Sequence, residues 1–361
     1  MACGWHCFDM KRGNRIFILT LLLVGFGIVM IGNASFADAM ADFSDKWHYV
    51  RLQAIWGVIG TIAMWVSSRF SLKRLEAFSQ LFLYVNIGFL IIVLIPGIGN
   101  KILGARRWLG FGSFGFQPAE LVKLSLTIYL AKLLSTSDFD IKKFLFIIGG
   151  ILTLIMMEPD MGTAIIVLLI SATMYFGSGK SLAPMILIIP IAGLVFGSLI
   201  IFSPYRLERM KSYLDFQRDT QGSSYHIRQA LLGIGSGGIW GVGFGQSKQK
   251  YQFLPEVTTD SIFAVYAEET GFVGSVVLIG IYGWLVHLGL TVAQHAKQSF
   301  GGLVALGVIS WVGWQFVINV AAMTALFPLT GVPLPFISYG GSSLVVLLSA
   351  IGLLLNVAKN G

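Results

Sequence analysis

The sequence predicts an all-α, polytopic membrane protein with about ten transmembrane helices. Of its 361 residues 55% are apolar or aromatic (AVILMFWYC) and only 12% are charged, and the mean hydropathy is +0.78. A bilayer-spanning helix takes about 20 mostly apolar residues, so this composition allows roughly ten spans and leaves little for a soluble domain. One transmembrane domain over residues 1–361 is expected. The two cysteines, Cys3 and Cys7, stand ahead of the first apolar run with Lys11, Arg12 and Arg15 behind them, so no disulfide framework is expected. Cys3-His6-Cys7 is half a metal site at most, and no second cluster completes it.

Uninterrupted apolar runs bounded by charge, Gly/Pro or polar clusters are Ile16 to Gly32, Tyr49 to Val66, Phe78 to Ile95, Leu121 to Leu134, Phe144 to Met157, Met161 to Phe176, Leu182 to Phe202, Ile262 to Val292, Leu303 to Phe327 and Leu344 to Val357. The fifth and sixth are short for a core of about 30 Å at about 1.5 Å per residue. They meet at Glu158-Pro159-Asp160, so they either cross fully or form a re-entrant hairpin. Both routes return the chain to the same face. The first run imitates a secretory signal, with Ser35-Phe36-Ala37 as its cleavage site, but it is longer than an ordinary signal core and is expected to stay as a span.

Lys and Arg in short loops favour the cytoplasm. Arg69, Lys73, Arg74, Lys142, Lys143, Lys180, Lys297 and Lys359 all fall on the side of the N-terminal tail, residues 1–15, so both termini are expected inside. The first outer loop carries Asp38, Asp42 and Asp45 against Lys46. Two outer segments break the pattern. Lys101, Arg106 and Arg107 lie in a short one. Arg206, Arg209, Lys211, Arg218, Arg228, Lys248 and Lys250 lie in the large loop 203–261 between the seventh and eighth spans. A long loop is exempt from the inside rule and its charge is compatible with a solvated surface, whereas the short one suggests an anionic partner such as phosphate at headgroup depth. Nucleic acid is not the expected partner despite a pI near 9.5, because the basic residues are interleaved with membrane segments.

Glu120, Lys123, Glu268 and Glu269 fall in or beside apolar runs, where a charge costs roughly 2.5 to 3.5 kcal/mol near the bilayer centre. They should face a cavity or one another. Glu120 and Lys123, at i,i+3, are spaced for a local ion pair or for a polar cavity wall. Ahead of the eighth span, Asp260 or Ser261 suits a helix cap, and Asp260 equally suits chemistry at an outward-facing helix mouth. The glycine-rich stretch Gly235 to Gly245 lacks the Lys-Ser/Thr of a phosphate loop, and Ser247-Lys248-Gln249-Lys250 matches a Ser-x-x-Lys pattern by chance. Hydrolase and ATPase readings are thereby disfavoured.

Several motifs together resemble the SEDS family (shape, elongation, division and sporulation), the FtsW and RodA type of peptidoglycan polymerase. They are Gly104-Ala105-Arg106-Arg107-Trp108, Phe116 to Leu124 (FQPAELVKL), Glu158-Pro159-Asp160-Met161-Gly162-Thr163-Ala164, Ile234 to Gly238, Phe253-Leu254-Pro255-Glu256 with Thr259-Asp260, and Pro333 to Ser343 (PLPFISYGGSS). Gln246 to Lys250 and the Arg106-Arg107 pair look closer to the division-type FtsW branch.

The resemblance implies a peptidoglycan glycosyltransferase of a bacterial cytoplasmic membrane, active at its outer face in cell division. Its implied substrate is lipid II, a disaccharide-pentapeptide on polyprenyl pyrophosphate. In the implied inverting reaction a sugar 4-hydroxyl attacks the anomeric carbon and expels the pyrophosphate, which needs a base at the hydroxyl and positive charge at the leaving group. Asp260 matches the family's essential acid and is expected to be the base. Arg106, Arg107 and Lys123 are expected at the pyrophosphate, beside Trp108. Glu120 is expected to orient Lys123, and Glu158, Asp160, Glu256 and Thr259 to support the site. Ser338 and Ser342 belong to a Gly/Ser-rich segment that is either a substrate entrance or a tight turn. No cofactor is firmly implied, although a divalent cation, magnesium or manganese, would suit the pyrophosphate. A class B penicillin-binding protein is the implied partner, alongside other division proteins. One departure stands out: Thr258 occupies a position usually held by His, and it cannot carry a proton as imidazole does. A lipid II flippase and a non-enzymatic division scaffold are the competing functions.

Overall fold

The structure, a computed structural model, describes residues 2–102, 105–111, 114–181, 223–251, 253–296 and 299–360, with the isolated positions 183, 197, 207 and 213. The seventh predicted span, Leu182 to Phe202, lies outside these residues apart from positions 183 and 197, as do Arg206, Arg209, Lys211 and Arg218 of the large loop.

Helices α1 (Ala2–Ala34), α2 (Phe36–Phe43), α3 (His48–Ser67) and α4 (Leu72–Leu94) come first, followed by strands β1 (Asn100–Ile102), β2 (Ala105–Phe111) and β3 (Phe114–Phe116). Then follow α5 (Pro118–Ser135), α6 (Ile141–Met157), α7 (Met161–Gly177), α8 (Ser223–Gly237), α9 (Ile262–His295), α10 (Ser299–Met323) and α11 (Gly341–Asn360). Every predicted apolar run that falls among the described residues is helical. Six helices there are long and apolar enough to cross a bilayer: α1 from Arg12, α3, α4, α9, α10 and α11. The chain is a helical, multi-pass membrane protein.

Two segments between the membrane helices carry further structure, the first of them a departure from the all-α expectation. Residues 100–116 form an antiparallel sheet in the order β1-β2-β3, with Lys101 opposite Arg106 and Leu109 opposite Phe116. Alternating Arg, Trp, Leu and Phe give these short strands a face to lay on the bundle, and Phe89 of α4 meets Phe116 edge-on at 5.6 Å. The large loop 203–261 contains helix α8, whose Ile227 and Ala230 are buried.

The helices divide into a centre and a rim. Most of α5, α10 and α11 is buried, whereas α3 and α4 leave Ile62, Trp65, Phe78 and Leu81 more than half exposed for lipid to cover. Among the buried polar residues of the central helices, Glu120 and Lys123 of α5 reach an internal cleft.

Helix α9 is broken at Gly271 (φ 67°, ψ −163°), a conformation essentially restricted to glycine. In an unbroken helix the carbonyls of Glu268 and Glu269 would accept from the N–H groups of Phe272 and Val273. Here Val242 N–H and Gly243 N–H donate to those carbonyls at 3.0 and 3.1 Å, while Phe272 and Val273 donate to the carbonyls of Gly238 and Ile239 at 2.9 and 3.1 Å. All four groups freed by the break are thus re-paired by the glycine-rich segment, as a membrane interior demands. A Cβ on Gly241 (φ +81°) would overlap the Glu269 carbonyl, which explains why glycine is needed there.

Candidate active site

At the end of the bundle where α5, α7 and α11 begin, a cleft of about 280 Å3 is lined by Arg107, Trp108, Glu120, Lys123, Asp160, Glu256, Thr259 and Asp260, together with Gln117, Tyr339 and Ser343. It collects residues from β2, α5, the α6–α7 turn, the turn before α9 and the segment before α11. These positions span more than 230 residues of sequence, from Arg107 to Ser343.

Asp260 is 9% exposed and its backbone is held from several sides. Asn319, buried on α10, donates from Nδ2 to the Asp260 carbonyl at 2.7 Å and to the Val332 carbonyl at 2.8 Å. Tyr339 N–H donates to the Thr258 carbonyl at 2.8 Å, and the Ser338 hydroxyl donates to that of Thr259. The turn itself closes through Thr259 N–H and Ser261 N–H on the Glu256 carbonyl, each at 3.2 Å, with Glu256 in a left-handed conformation (φ 51°). Ser261 stands at the N-cap of α9 without a side-chain capping bond; its hydroxyl donates to the Pro255 carbonyl at 2.9 Å and meets His226 Nε2 at 2.6 Å. The Asp260 side chain lines the cleft, with the Thr259 hydroxyl 3.4 Å from its Oδ1.

Lys123 is 2% exposed. Its ammonium lies 2.7 Å from Glu120 Oε1 and 3.4 Å from Gln315 Oε1, over the Trp311 ring at 4.8 Å. Gln315 is fixed in turn by Trp311 Nε1 (2.7 Å) and by the Pro333 carbonyl (2.9 Å). The ion pair and the cavity wall foreseen for Glu120 and Lys123 are therefore both present. Glu120 Oε2 is enclosed and has no hydrogen-bond partner.

Arg107 reaches across to the α6–α7 turn, donating from Nε to the Glu158 carbonyl at 2.8 Å and from Nη2 to the Pro159 carbonyl. Asp160 caps α7, accepting from Thr163 N–H at 3.0 Å, Thr163 Oγ1 at 2.8 Å and Gln117 Nε2 at 3.0 Å. The Glu158 side chain is fully buried and both its oxygens lack partners. Burial, and then the neighbouring Asp160 carboxylate, push its carboxyl from 4.5 up to about 8, against the downward pull of Arg107. It supports the turn as a neutral acid.

Four sequence candidates fall outside the cleft: Glu158, buried in the turn just described, and three more. Arg106, adjacent to Arg107 on a strand, does not line it. Ser338 accepts from Leu334 N–H at 2.7 Å and is spent on holding the turn described above. Ser342 is buried in α11 with an unpartnered hydroxyl, and Ser343 lines the cleft in its stead. The segment around them is a tight turn packed on Asp260. Sequence reasoning missed Asn319, Gln315, Gln117 and Tyr339; Asn319 and Gln315 carried a readable signal as amides inside an apolar run.

Glu268 and Glu269 are absent from the cleft. Glu268 accepts from the hydroxyls of Ser247 and Ser236 and the N–H groups of Lys248 and Gln249. Glu269 accepts from Asn33 Nδ2 and Ser247 N–H and lies 3.6 Å from Lys250 Nζ. They clamp the chain beyond the glycine-rich segment to α1 and α9. Among the described residues no three His, Cys, Asp or Glu side chains converge as metal ligands, so these residues offer no site that would hold a divalent cation unaided.

Fold and cleft together define a multi-pass helical membrane protein with four acidic and two basic side chains gathered at one end of the bundle. The chain belongs to the FtsW/RodA/SpoVE (SEDS) family, whose model, described as cell cycle protein, matches residues 14–361. It is 38% identical to stage V sporulation protein E of Bacillus subtilis over 95% of both chains. It is 35% identical to a probable peptidoglycan glycosyltransferase FtsW of Trichlorobacter lovleyi over 95% of this chain and 92% of that one. Among solved structures it matches a chain of a peptidoglycan synthase complex that coordinates polymerization and crosslinking (TM-score 0.79, 28% identity, 95% and 96% covered). It also matches Thermus thermophilus RodA (TM-score 0.70, 28% identity, 95% of each chain).

Proposed function

We propose that this chain is a peptidoglycan glycosyltransferase that polymerises lipid II in cell division, as a single transmembrane domain of the bacterial cytoplasmic membrane with its cleft facing outward. The observation that carries this is the placement of Asp260, Arg107 and Lys123 on the walls of one cleft. Relatives named as FtsW glycosyltransferases support the activity, and the positive charge on the opposite loops supports the orientation.

In this reading Asp260 accepts the proton of the acceptor 4-hydroxyl as the hydroxyl attacks the anomeric carbon. The donor C–O bond breaks, and its electron pair leaves with the pyrophosphate. No acid opposite Asp260 is required, because pyrophosphate departs as an anion; this differs from a glycosidase. Arg107 and Lys123 offset the charge that grows on it, the former by turning from the carbonyls it now holds. Glu120 aims Lys123. Trp108 supplies an apolar wall for the sugar or the first isoprene units. Thr258 takes no part in proton transfer, and its carbonyl anchors Tyr339. A class B penicillin-binding protein is the proposed partner, by analogy with the complex above.

The test is to purify the chain with its cognate penicillin-binding protein, add lipid II and resolve glycan polymer on a gel. Asp260→Asn should lower the rate by about 10²–10⁴-fold, the range for loss of a general base, with thermal stability unchanged. Full polymer yield from Asp260→Ala removes the assignment. Lipid translocation without polymer would establish the flippase instead.

A further inference from the structure

The opposite end of the bundle has a second cleft, of about 360 Å3, where the start of α1 meets the ends of α3 and α11. Helix α11 begins beside Asp260 and runs 20 residues, about 30 Å, so the two clefts are separated by one hydrocarbon thickness. This one holds Arg69 and Lys359, and among the described residues no carboxylate lines it. Among the described residues neither cation forms an ion pair.

Basic residues are common at a cytoplasmic membrane face, and near a helix C-terminus they often serve its free carbonyls. Here that duty has another holder. Asn356 Nδ2 donates to the carbonyls of Ser67, at 3.3 Å, and Phe70, at the end of α3. Arg69 instead lies over the Trp65 ring with its guanidinium carbon 3.7 Å from the ring centre, a contact that fixes the charge and leaves its N–H fork at the rim. Below the cations the wall turns apolar with Phe17, Met64 and Leu355, while Asn14 and Ser68 offer polar groups at the mouth. Paired cations above an apolar floor match a molecule with an anionic head and a hydrocarbon body.

We propose that this cleft binds an anionic phospholipid of the same membrane, its phosphodiester between Arg69 and Lys359 and an acyl chain along Phe17 and Leu355. The site does not depend on the chemistry assigned to Asp260. By bridging α1, α3 and α11 it would brace the helix that carries Ser343 to the other cleft.

The test uses the full-length protein in detergent, titrated by native mass spectrometry with phosphatidylglycerol, phosphatidylcholine of the same chains, and glycerol 3-phosphate. Phosphatidylglycerol should bind more tightly than the other two. Each cation removed should weaken it about fivefold, the weight of one Lys or Arg at an anionic surface, so Arg69→Gln/Lys359→Gln should weaken it roughly 25-fold. Lys142→Gln/Lys143→Gln removes the same charge from the same face outside the cleft and should leave affinity within about twofold. Equal loss in both double variants would reduce the effect to general surface charge and overturn the site. So would phosphatidylcholine or glycerol 3-phosphate binding as tightly as phosphatidylglycerol. If the double variant does not fold, Lys359→Gln alone, on the exposed last turn of α11, carries the comparison.

Discussion

Two sets of buried charge divide the labour of this molecule. Glu120 and Lys123 pair on α5 and open onto the cleft, with one carboxylate oxygen unmatched. Glu268 and Glu269 on α9 lie as deep, but they accept from backbone N–H groups and side chains of the 247–250 segment and α1, and neither borders the cleft. In sequence the two sets look alike, each a costly intrusion into an apolar run. The difference shows that a buried charge marks function only when part of its bonding capacity is left for something absent. Where every acceptor is engaged, the charge holds the fold, here around a broken helix.

Breaking the second set should have the largest effect. Glu268→Ala strands two backbone N–H groups and the Ser247 hydroxyl, and should destabilise the protein by about 3–5 kcal/mol, the range for breaking a buried charged network. The readout is thermal unfolding in detergent. Removing the first set should behave oppositely. Lys123→Met/Glu120→Gln takes out both charges together and should leave the melting temperature nearly unchanged. Polymerisation should fall by roughly 10²-fold, as when one group that stabilises transition-state charge is lost; an unchanged rate would place Lys123 among the structural charges. Gly271→Ala probes the break that the second set guards. Its backbone conformation disfavours any side chain, and a loss of about 1–3 kcal/mol is expected.

The smallest effect sharpens the comparison through pH. Glu158 is buried beside the cleft turn with a carboxyl pushed up to about 8, against 4.5 ordinarily. Below about 4.5 both folded and unfolded chains hold its proton and its contribution to stability is fully present. As pH rises toward about 8 the unfolded chain releases the proton while the folded chain keeps it, so that stability is progressively lost. Glu158→Gln should remove this slope, leaving stability at pH 5 nearly unchanged and raising it by on the order of 1–3 kcal/mol at pH 8.5. Equal unfolding curves for the two proteins at pH 8.5 would refute the neutral buried acid.

Much of the fold was legible in the sequence because a bilayer imposes a simple rule. Apolar runs of sufficient length become helices, and each predicted run among the described residues did so. The short sheet at 100–116 was not foreseen, since two of its three strands have only three residues and leave little periodicity to read. For the cleft, Asp260, Arg107, Trp108, Glu120, Lys123, Asp160, Glu256 and Thr259 were named from sequence and line it together. Arg106 and Arg107 could not be told apart, because which of two adjacent strand residues enters a cleft depends on how the strand is laid against the bundle. Ser342 and Ser343 pose the same problem on a helix, where about 100° of rotation separates neighbours.

Composition and apolar patterning alone determined a multi-pass helical bundle, because it follows from local hydrophobicity and its cost in lipid. Only tertiary structure decided which intramembrane charges share a cleft and which lock a broken helix. That outcome turns on side chains far apart in the chain competing for the same few hydrogen bonds, and no local pattern records who wins.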